Sequence, residues 1–210
     1  SFANPNTGQI LGADIMLEYV YFTNRVKYEQ LHRTFNSETE FKLDPTNTCL
    51  AGDYLHQGNL FGMAALGAVD DFSQLEQHRL IYESLVSLTL HEVGHTLGLN
   101  HNFYASHLHS FKNIHDRIIT EPIGLTSSVM DYVPANVNDK PKHHGQFYST
   151  TPGPYDVWAI EFGYTPPLEN ITDEEERIEL LLGQSTKNEL RFGNDADDMR
   201  SPGKGIDPRV

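Results

Sequence analysis

The run His91-Glu92-Val93-Gly94-His95-Thr96-Leu97-Gly98-Leu99-Asn100-His101 carries three histidines and a glutamate at offsets that suit a single metal ion. On an α-helix about 3.6 residues complete a turn, so side chains four apart share a face and the His91 and His95 imidazoles can converge. Gly98 can take the positive-φ backbone that ends a helix, which would turn the chain sharply and return His101 as a third ligand. Three nitrogen ligands leave the fourth position of a tetrahedral zinc ion open to water, whose pKa zinc lowers from about 15.7 to about 7. Glu92, beside the first ligand, is placed to take that water's proton.

Five residues at these offsets coincide by chance on the order of once in a million starting positions. Eleven histidines in 210 residues raise that little. Two plainer readings compete: a helix whose histidines are merely part-buried, and a structural zinc site. Structural sites normally close with four ligands, commonly including cysteine, and the one cysteine, Cys49, lies far from the run.

Downstream lies Ser127-Ser128-Val129-Met130-Asp131-Tyr132. With the long histidine motif it resembles the metzincin superfamily of metalloproteases, in which H-E-x-x-H-x-x-G-x-x-H is followed by a Met-turn. The Ser-x-Met-x-Tyr form is similar to that of astacins and serralysins. The resemblance implies that Met130 forms a hydrophobic floor beneath the ligands. It also implies that Tyr132 approaches the metal or hydrogen-bonds the tetrahedral intermediate, a task that suits a phenol because it donates without adding charge. A buried tyrosine that anchors the turn is the alternative.

Residues 91–103, the Ser-Val-Met-Asp-Tyr segment, Gly153-Pro154-Tyr155-Asp156-Val157-Trp158-Ala159-Ile160 with Gly163-Tyr164, and the opening Asn4-Pro5-Asn6-Thr7-Gly8-Gln9-Ile10 together resemble a family of large bacterial, Bacteroidetes-type, zinc-dependent metzincins. Asn102 departs from the residue that follows the third histidine in astacins, serralysins, matrixins and adamalysins, which argues against those four. The resemblance implies an α+β zincin-like fold: a mixed sheet, a long active-site helix, a Met-turn and a mainly helical C-terminal part. It further implies one catalytic Zn²⁺, a protein or peptide substrate, and an extracytoplasmic location, whether periplasmic, outer-membrane-associated or secreted.

The elements that would position these residues are legible in part. Residues 9–22 carry Ile10, Ile15, Leu17, Tyr19 and Tyr21 at mostly alternate positions and read as a strand after a turn at Asn6-Thr7-Gly8. It is either an interior strand or the edge on which metzincins pair extended substrate. Tyr28, Leu31 and Phe35 suggest a short helix over 24–35, and residues 49–69 read as loop plus helix. From about Phe72, the positions Leu75, Leu80, Leu85, Leu88, Val93 and Leu97 predict one long helix ending at Gly98 and carrying the first two ligands. Residues 102–126 lack periodicity; His107, His109 and His115 there are exposed loop residues or ligands of a second metal.

Residues 153–164 resemble the family's C-terminal helix. Asp156 either hydrogen-bonds the region below the Met-turn or a ligand imidazole, or serves as an acid in a helix's first turn. After Pro166-Pro167 the composition shifts. Thr172 with Glu175 forms a capping box opening an acidic helix through Leu182, with Gly183 as its stop. The resemblance thus implies a metzincin catalytic domain over 1–167, and the composition shift a helical, acidic extension over 168–210. The acidic tail around Asn194-Asp195-Ala196-Asp197-Asp198 and Asp207 is a solvated loop or a calcium site, though it lacks EF-hand spacing.

Fifteen basic against twenty-nine acidic residues give a net charge of −14, which disfavours nucleic acid as a partner. No run of eighteen apolar residues predicts a transmembrane helix. The start at Ser1, with ninety residues before His91, suggests a fragment of a larger polypeptide lacking part of the N-terminal lobe. Zinc-dependent peptide-bond hydrolysis with Glu92 as general base is the leading function. A non-catalytic module that captures peptides or glycoprotein is the alternative, and a hydrolase of non-peptide amides the third. The resemblance to metzincins implies that specificity lies in the pocket behind the Met-turn, about residues 133–147, where Lys140, Lys142, His143 and His144 either favour acidic side chains or simply face solvent.

Overall fold

The computed structural model describes residues 2–15, 51–68, 73–138 and 145–194. The chain opens with a hairpin of β1 (Phe2–Ala3) and β2 (Ile10–Gly12), antiparallel with Phe2 opposite Gly12 and Ala3 opposite Ile10. Asn4 closes the hairpin: its carbonyl accepts from Gly8 N–H at 2.8 Å, and Gly8 sits at φ 72°, which favours glycine. The alternating pattern from residue 9 therefore does begin as a strand. Its continuation over 16–22 and the helix expected over 24–35 lie outside the described residues.

Helix α1 (Ala51–Gly67) precedes α2 (Gln74–Thr96), the long helix the leucine spacing predicts. Ser73 caps α2, its hydroxyl accepting from Glu76 N–H at 3.3 Å. Leu80, Glu83, Ser84, Ser87, Leu88, His91 and Gly94 form its buried stripe, at the three- and four-residue steps of one helix face. α1 lies against that stripe closely because Gly62 has no side chain: a Cβ there would come within 2.8 Å of Leu80 Cδ1. One polar link crosses the same contact, Asn59 Nδ2 to Ser84 Oγ at 3.0 Å. Leu55, Leu66, Leu80, Leu88, Phe103, Tyr132, Phe147 and Tyr148 share one core, so α2, the loop after His101 and the methionine segment are packed as a unit.

Residues 102–126, aperiodic in sequence, contain a 3₁₀ turn at Ala105–His107 and a short helix α3 (Arg117–Ile123). Asp116 caps α3 through Ile118 N–H at 3.0 Å, and Gly124 at φ 84° ends it. Ile118 and Ile123 are exposed, so no apolar periodicity announces this helix.

The C-terminal part is helical: α4 (Pro154–Tyr164), α5 (Ile171–Gly183), then 3₁₀ turns at Gln184–Thr186 and Asn188–Leu190. The capping box placed at Thr172 and Glu175 is displaced. Asn170 is the cap, accepting from Thr172 N–H at 3.0 Å, while Glu174 accepts from Leu168 N–H at 3.1 Å and pairs with Arg177. The α-helix does end at Gly183, but without a left-handed backbone: the glycine keeps a φ of −58° and passes directly into the next turn. Trp158 Nε1 donates to the Leu181 carbonyl at 2.9 Å and fastens α5 to α4. The helix-rich arrangement with one small sheet fits the α+β class. Among the described residues no helix is long and apolar enough to cross a membrane.

One buried carboxylate ties α2 to the segment returning from the methionine turn. Glu83 accepts from Phe147 N–H at 2.5 Å and Tyr148 N–H at 3.3 Å, while Arg79 lies 3.5 Å from it and donates to the Gly145 carbonyl at 2.8 Å. Burial raises the Glu83 pKa above 4.5, against the lowering effect of the Phe147 N–H and Arg79. Glu83→Ala strands two buried N–H groups and should cost about 2–4 kcal/mol in urea unfolding. The unfolded chain ionises this carboxyl first, so the advantage of wild type over Glu83→Gln should shrink as pH rises above 4.5. A gap that widens with pH would contradict the burial effect.

Candidate metal centre

The end of α2 shows how two candidate ligands on a helix acquire a third from a loop. Leu99 N–H donates to the Gly94 carbonyl and Gly98 N–H to the His95 carbonyl, both at 3.0 Å, with Gly98 at φ 88°. This is a Schellman close, and the glycine supplies the left-handed backbone it needs. It has a second effect: the Leu99 carbonyl comes 3.0 Å from His95 Nδ1. His91 Nδ1 has an equivalent partner in the Val129 carbonyl, at 2.7 Å. Carbonyls only accept, so each Nδ1 carries the proton and each Nε2 keeps its lone pair.

The nitrogens of His91, His95 and His101 lie within 4.8 Å of one another, the only such group of three or more histidine, cysteine or carboxylate donors among the described residues. His95 Nε2 is buried there without a hydrogen-bond partner, which is costly unless something else takes its lone pair. Burial pushes the His91 pKa down to about 3; the neighbouring His95 and His101 act in the same direction and the Val129 carbonyl opposes them. Three converging imidazole nitrogens with no thiolate among them fit a zinc ion that keeps an open position.

Glu92 is partly buried on the same helix, next to the first ligand. Tyr132 is buried beside the third: its hydroxyl is 2.9 Å from His101 Nε2, and its ring stacks on Tyr54 of α1 at 4.9 Å. His101 itself stacks on Phe103 at 5.4 Å. All six residues singled out from the sequence thus fall in one place, since Met130 is fully buried against Gly94 of α2.

Gly94 is a residue that motif reading passed over. A Cβ at that position would overlap Met130 Sδ, so the glycine is what lets the methionine lie directly under the ligand helix. A glycine inside a helix costs about 1 kcal/mol relative to alanine, and that anomaly was the available signal.

Of the roles open to Asp156, the geometry meets two at once: it lies beneath the methionine turn and in the first turn of α4. Its oxygens accept from Ser128 Oγ at 2.5 Å, Val129 N–H at 2.8 Å and Gly153 N–H at 2.9 Å. The same carboxylate caps α4 and holds the residue whose carbonyl orients His91. Burial raises its pKa, with these three donors opposing. Gly153 is required at the junction because a Cβ would run into the Ser127 backbone.

The loop histidines do not assemble a second centre among the described residues. His109 Nε2 bonds the Gly124 carbonyl at 2.8 Å, and His107 Nδ1 is 3.3 Å from the Tyr104 carbonyl. The acidic tail considered for calcium, from residue 195 on, and residues 139–144 of the specificity segment lie outside the described residues.

A family model described as Met-zincin matches residues 73–210. No curated protein and no solved structure matches the chain.

Two substitutions test this support. Asp156→Ala leaves three buried donors without an acceptor and should cost about 2–4 kcal/mol of stability by chemical denaturation. It should also weaken zinc binding about 10- to 100-fold in competition with a chelator. Gly94→Ala should cost about 1–3 kcal/mol through overpacking, part of which Met130→Val in the same chain recovers. A neutral Gly94→Ala would mean that the sulfur does not depend on this gap.

Proposed function

Because the chain belongs to the Met-zincin family, we propose that it is a zinc-dependent endopeptidase with Glu92 as its general base and acid. The observation that carries this reading is the convergence of three imidazoles, two of them with Nδ1 fixed on backbone carbonyls, on the helix that also bears Glu92. Zinc held by His91, His95 and His101 would supply Lewis acidity, lowering the pKa of water and polarising a substrate carbonyl. Glu92 takes a proton from the attacking water and returns it to the nitrogen of the breaking amide bond, so one peptide and one water become a carboxylate and an amine. Tyr132 donates its hydroxyl proton to the oxyanion of the tetrahedral intermediate, a neutral donor beside His101. Met130, as the Met-turn residue, touches no substrate and supports the ligand helix.

The choice of peptide over other amides rests on family membership, since the metal and base alone would serve either. On the broader sequence resemblance we assign the protein to an extracytoplasmic compartment of a bacterium, as part of a larger polypeptide.

Digestion of a peptide library, read by mass spectrometry with and without chelator, should give chelator-sensitive internal cleavage. Glu92→Gln should keep zinc and lose about 10²- to 10⁴-fold in kcat. Tyr132→Phe should lower kcat about 10²-fold with little change in KM. Zinc binding without cleavage of any peptide would favour a capture module, and full activity in Glu92→Gln would overturn the assignment of the base.

A further inference from the structure

Taking His91, His95 and His101 as metal ligands, as proposed above, we infer that Asn102 is a positioning residue for the third ligand and that residues 190–194 are the clasp through which it acts. Asn102 follows His101 directly and is completely buried. Both ends of its amide are used. Nδ2 donates to the Arg191 carbonyl at 3.0 Å, and Oδ1 accepts from Gly193 N–H at 3.2 Å and Tyr104 N–H at 3.3 Å. Its backbone N–H donates to the Met130 carbonyl at 3.0 Å, and Phe103 N–H donates to the Gly193 carbonyl at 2.7 Å. The backbone just after His101 is therefore laced to the methionine turn and to a segment about ninety residues further along the chain.

Side chains reinforce the same contact. The Arg191 guanidinium lies 4.6 Å from the centre of the Tyr104 ring, Phe192 stacks on Tyr155 at 5.7 Å, and Leu190 is buried. His91 and His95 are held by the hydrogen bonds of a helix; His101 stands on irregular backbone after the helix has closed. Rings on either side can orient its imidazole, but the position of its Cα depends on what holds 102 and 103. The contact requires a donor and an acceptor on one short side chain, which asparagine has. Aspartate would set a second acceptor against the Arg191 carbonyl, and serine is too short to span both carbonyl and N–H.

The test uses the full chain and Zn²⁺ itself, titrated against a chromophoric chelator, with Co²⁺ substitution reporting coordination through its d–d absorption. Asn102→Ala should weaken zinc binding about 10- to 100-fold and alter the Co²⁺ spectrum while far-UV circular dichroism stays that of the wild type. Gly193→Pro removes the N–H that reaches Asn102 and keeps the carbonyl that accepts from Phe103; it should act in the same direction. The double variant should be no worse than Asn102→Ala, because both break one link. Should Asn102→Ala fail to fold, Gly193→Pro decides alone. Wild-type affinity and an unchanged Co²⁺ spectrum in whichever variants fold overturn the clasp, whereas a wild-type chain that binds no zinc overturns the metal-centre reading itself.

Discussion

The 2.7 Å contact between His91 Nδ1 and the Val129 carbonyl is the constraint on which the centre depends. An imidazole can offer Nε2 to a metal only if the proton resides on Nδ1, and it keeps that orientation only if the acceptor cannot move. Val129 is fixed because its N–H and the neighbouring Ser128 hydroxyl both end on Asp156, and Asp156 is fixed because it caps α4. A helix about sixty residues downstream of His91 thus sets that imidazole's rotamer, through one carboxylate and one peptide unit.

Glu83 and Asp156 perform related tasks along one stretch of chain. Asp156 gathers N–H groups at 129 and 153, and Glu83 gathers those at 147 and 148. Each uses its oxygens chiefly on backbone donors, and burial raises the pKa of each. That choice has a physical reason. The backbone leaving the methionine turn runs through the interior without a regular partner strand among the described residues, and its N–H groups need acceptors that a helix or sheet would otherwise provide. A buried carboxylate can take two or three of them at once.

The grouping of the three histidines was legible in the sequence because their spacing is local. His91, Glu92 and His95 sit on one helix whose period is visible, and Gly98 marks where that helix must end. The strand start at Ile10 was legible from its alternation, whereas the helix over 154–164 was expected from the family resemblance alone. Less so were features set by tertiary contact. Asn102 reads in sequence only as a departure from known subfamilies, and its partners lie about ninety residues away. Tyr54 stacks on Tyr132 from an element with no motif of its own. The cap of α5 was misplaced because Asn170 and Thr172 are both competent caps, and what decides between them is that Glu174 reaches back to Leu168 and pairs with Arg177.

Gly94 shows how local and global requirements are reconciled. The helix that carries two ligands ought to be the stiffest in the molecule, yet it has its weakest helix former one residue before His95. The loss is local and about 1 kcal/mol, whereas the gap admits Met130, which is fully buried and belongs to the turn that orients His91. Without that gap the turn would stand further from α2, and the Val129 carbonyl would leave hydrogen-bonding range of His91, since at 2.7 Å a displacement of about 1 Å removes the bond. A larger residue at 94 would improve the helix as a helix and spoil it as a ligand scaffold. The Gly94 carbonyl is also the acceptor for Leu99 N–H, so the residue that lets the methionine in also closes the helix and sends the chain toward His101.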